Sequence, residues 1–393
     1  MSLVKGSAVT QEQLVEWRRY LHMNPELSYQ EANTSQFVYE TLKSFPHLEV
    51  SRPTKYSVMA RLIGKKSGKV LAIRADMDAL AIQEENSFEF ISQKPGVMHA
   101  CGHDGHTATL LGAAKELSQR KDEIQGEVRF LFQHAEEIFP GGAQEMVDAG
   151  VMEGVDYVIG AHLWSPIEVG KIGIVYGTAM AAPDVFTITV SGKGGHGGMP
   201  HETIDSIAIG TQIVSNLQQI VSRNTNPFEP LVVSVTQFHA GTAYNVIPDN
   251  AVISGTIRSM RHELRKQTAG RIEQIVKGIT EAHGASYSCE FEYGYRPVVN
   301  TDSVTERIEQ TAMKLFGRDK VVRCPPTMGG EDFSAYLQKA PGCFFFIGAR
   351  NEEKGIVYPH HHPRFTIDED ALSIGKSLFV QAAFDILKDG SVE

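Results

Sequence analysis

The sequence predicts an α/β fold: a discontinuous domain built on a mostly parallel sheet, interrupted by a smaller βαββαβ domain of the ferredoxin-like pattern. Three observations lead there. Apolar strand-like runs alternate with helical periodicities through the first part of the chain. The order then changes to strand, helix, strand, strand, helix, strand. After residue 297 the first kind of alternation resumes. The 393 residues are 42% hydrophobic and 21% charged, enough apolar material for more than one core and far from a disordered or fibrous composition.

Thr10 and Gln13 form a capping box ahead of Leu14, Trp17 and Leu21, which repeat at helical spacing. VLAIRA (70–75) reads as a buried strand and 104–119 as a helix. EVRFLFQH (127–134), DYVIGAH (156–162) and KIGIVY (171–176) read as further strands of a parallel sheet. In the middle, DVFTITVS (184–191) reads as a strand and 203–222 as a helix. LVVSVTQF (231–238) and NAVISGTIR (250–258) follow as strands, 261–283 as a long helix and ASYSCEFEY (285–293) as a last strand. The flanks MAAPD and YRPVVNT carry proline and look like crossings between domains. Residues 1–183 and 298–393 then form one domain, and 184–297 the inserted one. The closing part reads as helices 302–317 and 332–338, the strand CFFFIGA (343–349) and a helix over 368–388.

Charge narrows the function. Lys+Arg is 37 against Asp+Glu 47, a net charge of −10 with no basic run, which argues against nucleic-acid partners and anionic membrane surfaces. No apolar run reaches the roughly eighteen residues of a membrane span. The opening MSLVKGSAVTQEQ lacks the apolar core of a secretory leader, so a cytoplasmic location is expected. The cysteines, Cys101, Cys289, Cys324 and Cys343, are widely spaced without a CxxC, so no disulfide framework is expected.

Five clusters carry chemistry. RADMDAL (74–80) puts Asp76 and Asp78 at the C-terminal end of a strand, where open α/β sheets place their sites; the bland alternative is turn capping. MHACGHDGHTA (98–108) packs Cys101, His103, Asp104 and His106 around two glycines. That segment suits a metal, a Cys nucleophile with a His base, or a polar loop capping the next helix. QHAEEIFPGGA (133–143) offers Glu136 and Glu137, a pair in which one carboxylate ligates metal and the other takes a proton from water. GAHLW (160–164) contributes His162, which alone reads as a core histidine. YPHHHPRF (358–365) sets three histidines between prolines, where a helix is excluded and metal binding is the better reading. Four of the five lie at or just after strand ends, where one face of a parallel sheet would gather them with enough ligands for more than one ion. In the inserted segment, GKGGHGGMPH (192–201) lacks the P-loop pattern; His196 suits a donor to a developing oxyanion, or the stretch is a flexible hairpin. Asn245 in a turn and Arg258 at a strand end suit a substrate carbonyl and carboxylate, or plain turn chemistry and a surface charge.

Taken in order, HxxPELSxxE (22–31), RADMDAL, MHACGHDGHTA, QxAEE with GGA, GKGGHGGMPH, FHAGTAYNVIPD, GTIR (255–258), GGEDFS (329–334) and HHHPRF run across nearly the whole chain. This set resembles the amidohydrolases of the aminoacylase and carboxypeptidase superfamily. The nearest branch holds hippurate hydrolases, indole-acetyl-amino-acid hydrolases and N-acetyl-diaminopimelate deacetylases. The resemblance implies a two-metal catalytic domain with an inserted lid or dimerisation domain, and a homodimer or homotetramer. By motif it implies Cys101, His103, Glu137, His162 and His361 as ligands of two divalent ions, manganese or zinc, with Cys101 in place of a bridging carboxylate. It implies Glu136 as general base, Asp76 as a support behind the metals, and His196 and Asn245 reaching the scissile carbonyl, with His196 acting in its own or a partner's site. Departures from the pattern are His134 and Ala81, each standing where the branch usually has proline. The expected reaction is hydrolysis of N-acyl amino acids. The rivals are a di- or exopeptidase, a Cys-His hydrolase using Cys101, and a non-catalytic peptide- or metal-binding module.

Overall fold

The computed structural model describes residues 9–388, so the first eight residues of the opening segment lie outside it. It divides into two compact units. The first is the chain up to Ala179, Val299–Pro325 and the chain from Asp332 onward; the second is Met180–Val298 with Pro326–Glu331. The 326–331 stretch, placed by sequence in the outer domain, groups with the second unit.

The first unit holds an eight-stranded sheet. Its order is Glu49–Ser51, Val58–Ile63, Gln125–Gln133, Lys66–Asp76, Tyr157–Glu168, Gly342–Arg350, Ile172–Ile174, Val321–Arg323. The four central strands run parallel; of the pairs outside them, all are antiparallel except Ile172–Ile174 with Val321–Arg323, which is parallel. Burial of Lys66–Asp76 is unbroken from Leu71 to Asp76, as a strand covered on both faces requires. Leu71, Ile73, Phe130, Ile159 and Phe345 form the centre of its core, with Leu110 and Leu117 of helix His103–Gln119 and Leu378 and Phe379 of helix Asp370–Lys388. Gln11–Met23 is capped by Thr10, whose hydroxyl accepts from Gln13 N.

Several elements escape the sequence reading. The helix Ala32–Lys43 and the strands Glu49–Ser51 and Val58–Ile63 are extra. The last of these buries Val58, Ala60 and Leu62 on one face in strict alternation. The expected helix over 332–338 shrinks to Ser334–Leu337, because Asp332 turns its carboxylate back to Arg74 and Gln133. DYVIGAH continues as Tyr157–Glu168, lengthened by its pairing with Gly342–Arg350. Among the described residues, no helix is long and apolar enough to cross a membrane.

The second unit is a four-stranded antiparallel sheet, ordered Leu231–Ala240, Asn250–Ser259, Ala182–Ser191, Ser286–Tyr293. With helices Ser206–Gln219 and His262–Ala282 the chain order is βαββαβ. Asp205 caps the first helix through Ile207 N and Ala208 N, so it starts later than position 203. Phe186, Ile188 and Val190 alternate with half-exposed neighbours and pack with Ile209, Ile213, Ile253 and Ile272. Ile188→Ala should therefore cost about 2–5 kcal/mol. Thr189→Ala, on the other face, should stay within about 0.5 kcal/mol. Denaturant unfolding of both variants checks this; equal effects would mean that the buried face is misassigned.

Candidate metal centre

The expected ligands come from four places at the C-terminal edge of the parallel strands. Cys101 and His103 flank Gly102, whose φ of +95° lets the chain wrap tightly into the helix His103–Gln119. Glu136 and Glu137 follow the strand Gln125–Gln133. His162 lies on Tyr157–Glu168. His361 sits in a turn at φ +64°, its N–H donating to Ala100 O at 2.8 Å.

The structure brings all five together. Two donor groups share one residue: Cys101 with His103 and His162, and Cys101 with Glu137 and His361. Within each group the donor atoms lie within 4.8 Å of one another. Cys101 Sγ is 3.4 Å from His162 Nε2, and Glu137 Oε1 is 3.4 Å from His361 Nε2 and 3.8 Å from His103 Nε2. Glu136, 7% exposed, groups with His103 and Glu137.

Neighbours fix which ring nitrogen each histidine presents. Nδ1 of His103 faces two acceptors on Asp78, the carbonyl at 3.0 Å and Oδ1 at 3.2 Å, so it carries the proton and leaves Nε2 toward the cluster. Nδ1 of His162 donates to Leu163 O at 2.8 Å, again leaving Nε2 inward. His106 looks like a ligand by residue type but is committed elsewhere. Its Nε2 accepts from Leu163 N at 2.8 Å and its Nδ1 donates to Asp76 Oδ1 at 2.6 Å. Asp76 continues into a buried chain through Arg74 (2.7 Å) to Asp332 (2.8 Å). Asp332 also accepts from Gln133 Nε2 and Ala143 N.

The three adjacent histidines divide their work. His360 Nε2 accepts from Ser165 N at 3.2 Å, and its ring lies 4.9 Å from that of His162. His362 stacks on Tyr358 at 4.5 Å and accepts from Arg364 N. His361 alone of the three faces Glu137. His134 turns from the cluster toward Glu145 at 3.1 Å and the Tyr29 ring at 5.5 Å.

The electrostatics favour a cation. Burial opposes protonation of His103, yet Asp76, Asp78 and Glu137 push it up to about 10. Burial, then Glu137, Glu136 and Asp76, hold the Cys101 thiol well above its ordinary range. That is the reverse of what activates a cysteine nucleophile. His103 Nε2 and Glu137 Oε1 are buried without a hydrogen bond. Such atoms are rare unless something else satisfies them. A thiol, three imidazoles and a carboxylate, with buried donor atoms left over, fit bound divalent metal.

The remaining expected residues lie in the second unit. His196 and Asn245 meet at a small two-stranded antiparallel ribbon between distant segments: His196 pairs with Val246, and Gly197 N donates to Asn245 O at 2.8 Å. Gly198 N donates to His196 Nδ1 at 3.0 Å. Arg258 is half-buried, bonding Thr256 Oγ1 and Ile257 O, and burial pulls its guanidinium below its ordinary range. Sequence reasoning picks out Asp78 and His106 only as members of their clusters and gives Asp332 no role of its own. The second Asp of RADMDAL, the one-turn spacing of His103 and His106, and the GGEDFS stretch that contains Asp332 were the local signals for them.

Comparison with known proteins agrees with this geometry. Residues 72–385 match the model of peptidase family M20/M25/M40. An N-acyl-L-amino acid amidohydrolase of Geobacillus stearothermophilus is 70% identical over 289 residues, 74% of this chain and 78% of that protein. Thermostable carboxypeptidase 2 of Saccharolobus solfataricus is 46% identical over 92% of each chain. The crystal structure of a dinuclear metal binding peptidase of the M20 family from Bacillus subtilis superposes with a TM-score of 0.84 at 37% identity, covering 96% of this chain and 98% of that one. A centre of clustered donors at the sheet edge and a family match across most of the sequence lead to one conclusion: this chain is a member of peptidase family M20/M25/M40.

Proposed function

We propose that this chain hydrolyses the amide bond joining an acyl group to an amino acid. Two divalent ions, manganese or zinc, would be held by Cys101, His103, Glu137, His162 and His361. The observation that carries the reading is the pair of donor groups sharing Cys101, with the buried Glu136 carboxylate beside them. When bound, such ions supply acidified water and a polarised carbonyl. The thiol favours zinc, and the carboxylate and imidazoles accommodate manganese as well.

The chain's own residues do the rest. Glu136 takes a proton from the attacking water and delivers it to the departing amine. Asp78 fixes the His103 ring, and Asp76 acts through His106 on the Leu163 backbone, which keeps His162 in place. His196 and Asn245 offer an imidazole and an amide donor for the carbonyl oxygen as negative charge grows on it. Arg258 has no carboxylate at ion-pair distance among the described residues, which suits it to the free carboxylate of an amino acid. In this reading the second unit serves as lid and dimerisation element of a homodimer or homotetramer.

The relative at 70% identity, named as an N-acyl-L-amino acid amidohydrolase, supports the substrate class. The carboxypeptidase at 46% identity supports exopeptidase action as the second reading. Amine release from N-acetyl and N-benzoyl amino acids and from dipeptides separates them. Chelator-treated protein should be inactive and regain activity with Mn²⁺ or Zn²⁺, cleaving N-acyl amino acids faster than dipeptides. Faster dipeptide cleavage would favour the exopeptidase. Cleavage that ignores chelator but stops with a thiol reagent would transfer the chemistry to Cys101.

A further inference from the structure

The turn that presents Glu136 and Glu137 has an unusual anchor. Ala135 carries a side chain yet sits at φ +49°, a conformation that persists only where the surroundings impose it. Ala135 O accepts from Gly142 N at 2.9 Å. Gly142 could not carry a Cβ, which would meet His134 O at 2.0 Å. Glu137 N donates to Asp78 Oδ2 at 3.0 Å. The remaining anchor is Glu31, whose Oε1 accepts from Ala135 N at 2.7 Å.

Glu31 comes from the far end of the PELSxxE segment and is 0% exposed. Its position just before the helix Ala32–Lys43 suggests a helix cap, but its side chain caps nothing. Glu26 does that work, accepting from Asn33 N and Thr34 N at 2.9 and 2.8 Å. Glu31 forms no ion pair among the described residues, and its Oε2 is buried without a hydrogen bond. A fully buried carboxylate with neither a cap nor a counter-charge is costly to keep. What it holds is the N–H of Ala135, the residue directly before Glu136.

We infer that Glu31 is a positioning residue for the reaction: by holding the Ala135 N–H it locks the left-handed turn that aims the Glu136 carboxylate. The inference rests on the proposed role of Glu136, but the anchor itself is testable without turnover. Burial and the nearby Asp78 push the Glu31 carboxyl up to about 8, so a neutral glutamine is a close replacement that keeps an acceptor oxygen for Ala135 N–H.

Three variants test it: Glu31→Ala, Glu31→Gln and Glu31→Asp, the last drawing the carboxylate back by one methylene. Hydrogen–deuterium exchange of the segment 131–142 reads the anchor; kcat, KM and bound metal read its effect. Glu31→Ala should speed exchange in that segment. It should lower kcat by about 10- to 100-fold, the scale of an ångström-level misplacement, with KM within about threefold and metal content unchanged. Glu31→Gln should restore both protection and kcat, which a merely structural loss of charge would not. If Glu31→Ala does not fold, Glu31→Asp should give the same losses. Wild-type exchange in Glu31→Ala or Glu31→Asp, or a Glu31→Gln as impaired as Glu31→Ala, would overturn the inference. If wild-type protein turns over no N-acyl amino acid, the functional reading fails, and exchange still decides whether Glu31 holds the turn.

Discussion

Glu136→Gln should lower kcat by about 10²–10⁴-fold while the protein keeps its metal. Glutamine matches the shape of glutamate but cannot accept the proton that attack on the amide releases. The carboxylate is buried at 7% exposure, so bulk water is poorly placed to substitute. It also lies in a donor group with His103 and Glu137, so the measurement must separate lost chemistry from lost metal. Elemental analysis of the variant supplies that control beside the rate of amine release. A metal-loaded Glu136→Gln turning over at the wild-type rate would remove Glu136 from the mechanism.

Cys101 should be the ligand whose loss is felt most widely. It is the residue common to both donor groups, whereas His162 belongs to one and His361 to the other. Cys101→Ala is therefore expected to bind less than about one ion per chain and to lose turnover. His361→Ala and His162→Ala should each retain about one, as a site that keeps a partial set of its ligands can. Metal titration of the three purified variants gives the comparison directly. If Cys101→Ala kept as much metal as the histidine variants, the shared role would be wrong. The thiol would then be a lining residue of a centre held by imidazoles and carboxylate.

The cluster of candidate donors was legible in the sequence because its residues advertise themselves by type and by place. Cys101 and His103 share one Gly-rich segment, Glu136 and Glu137 follow a strand directly, and His162 lies within another. The parallel core was legible for a similar reason: runs such as VLAIRA and CFFFIGA are apolar on both faces and so read as buried. The supports were not. Asp332 reaches Gln133 across 199 positions, and Glu31 reaches Ala135 across 104. No local pattern encodes such pairings, because an Asp or Glu in a turn looks the same whether it faces water or a backbone N–H. Val58–Ile63 was missed although its alternation was present, since a short flanking strand with Arg61 in it carries little apolar weight. His106 shows the limit of residue type: an imidazole beside the donor cluster that the hydrogen bonds of Leu163 and Asp76 reserve for holding the backbone.

The strand Gly342–Arg350 lies between Tyr157–Glu168 and Ile172–Ile174 in the finished sheet. On the ribosome that order has a consequence. Tyr157–Glu168 emerges early with one edge already taken by Lys66–Asp76 and the other bare. It must wait for residue 342 before that edge is paired. The four main strands of the second unit fall between Ala182 and Tyr293, so that unit's sheet can close during the wait. A nascent chain would thus carry one finished sheet beside one with an open, apolar edge, the kind of edge that recruits foreign strands. That exposure to aggregation would last until residue 342 of 393, well into the last quarter of synthesis, and the residue that ends it is not a ligand or a base but the first glycine of the late strand.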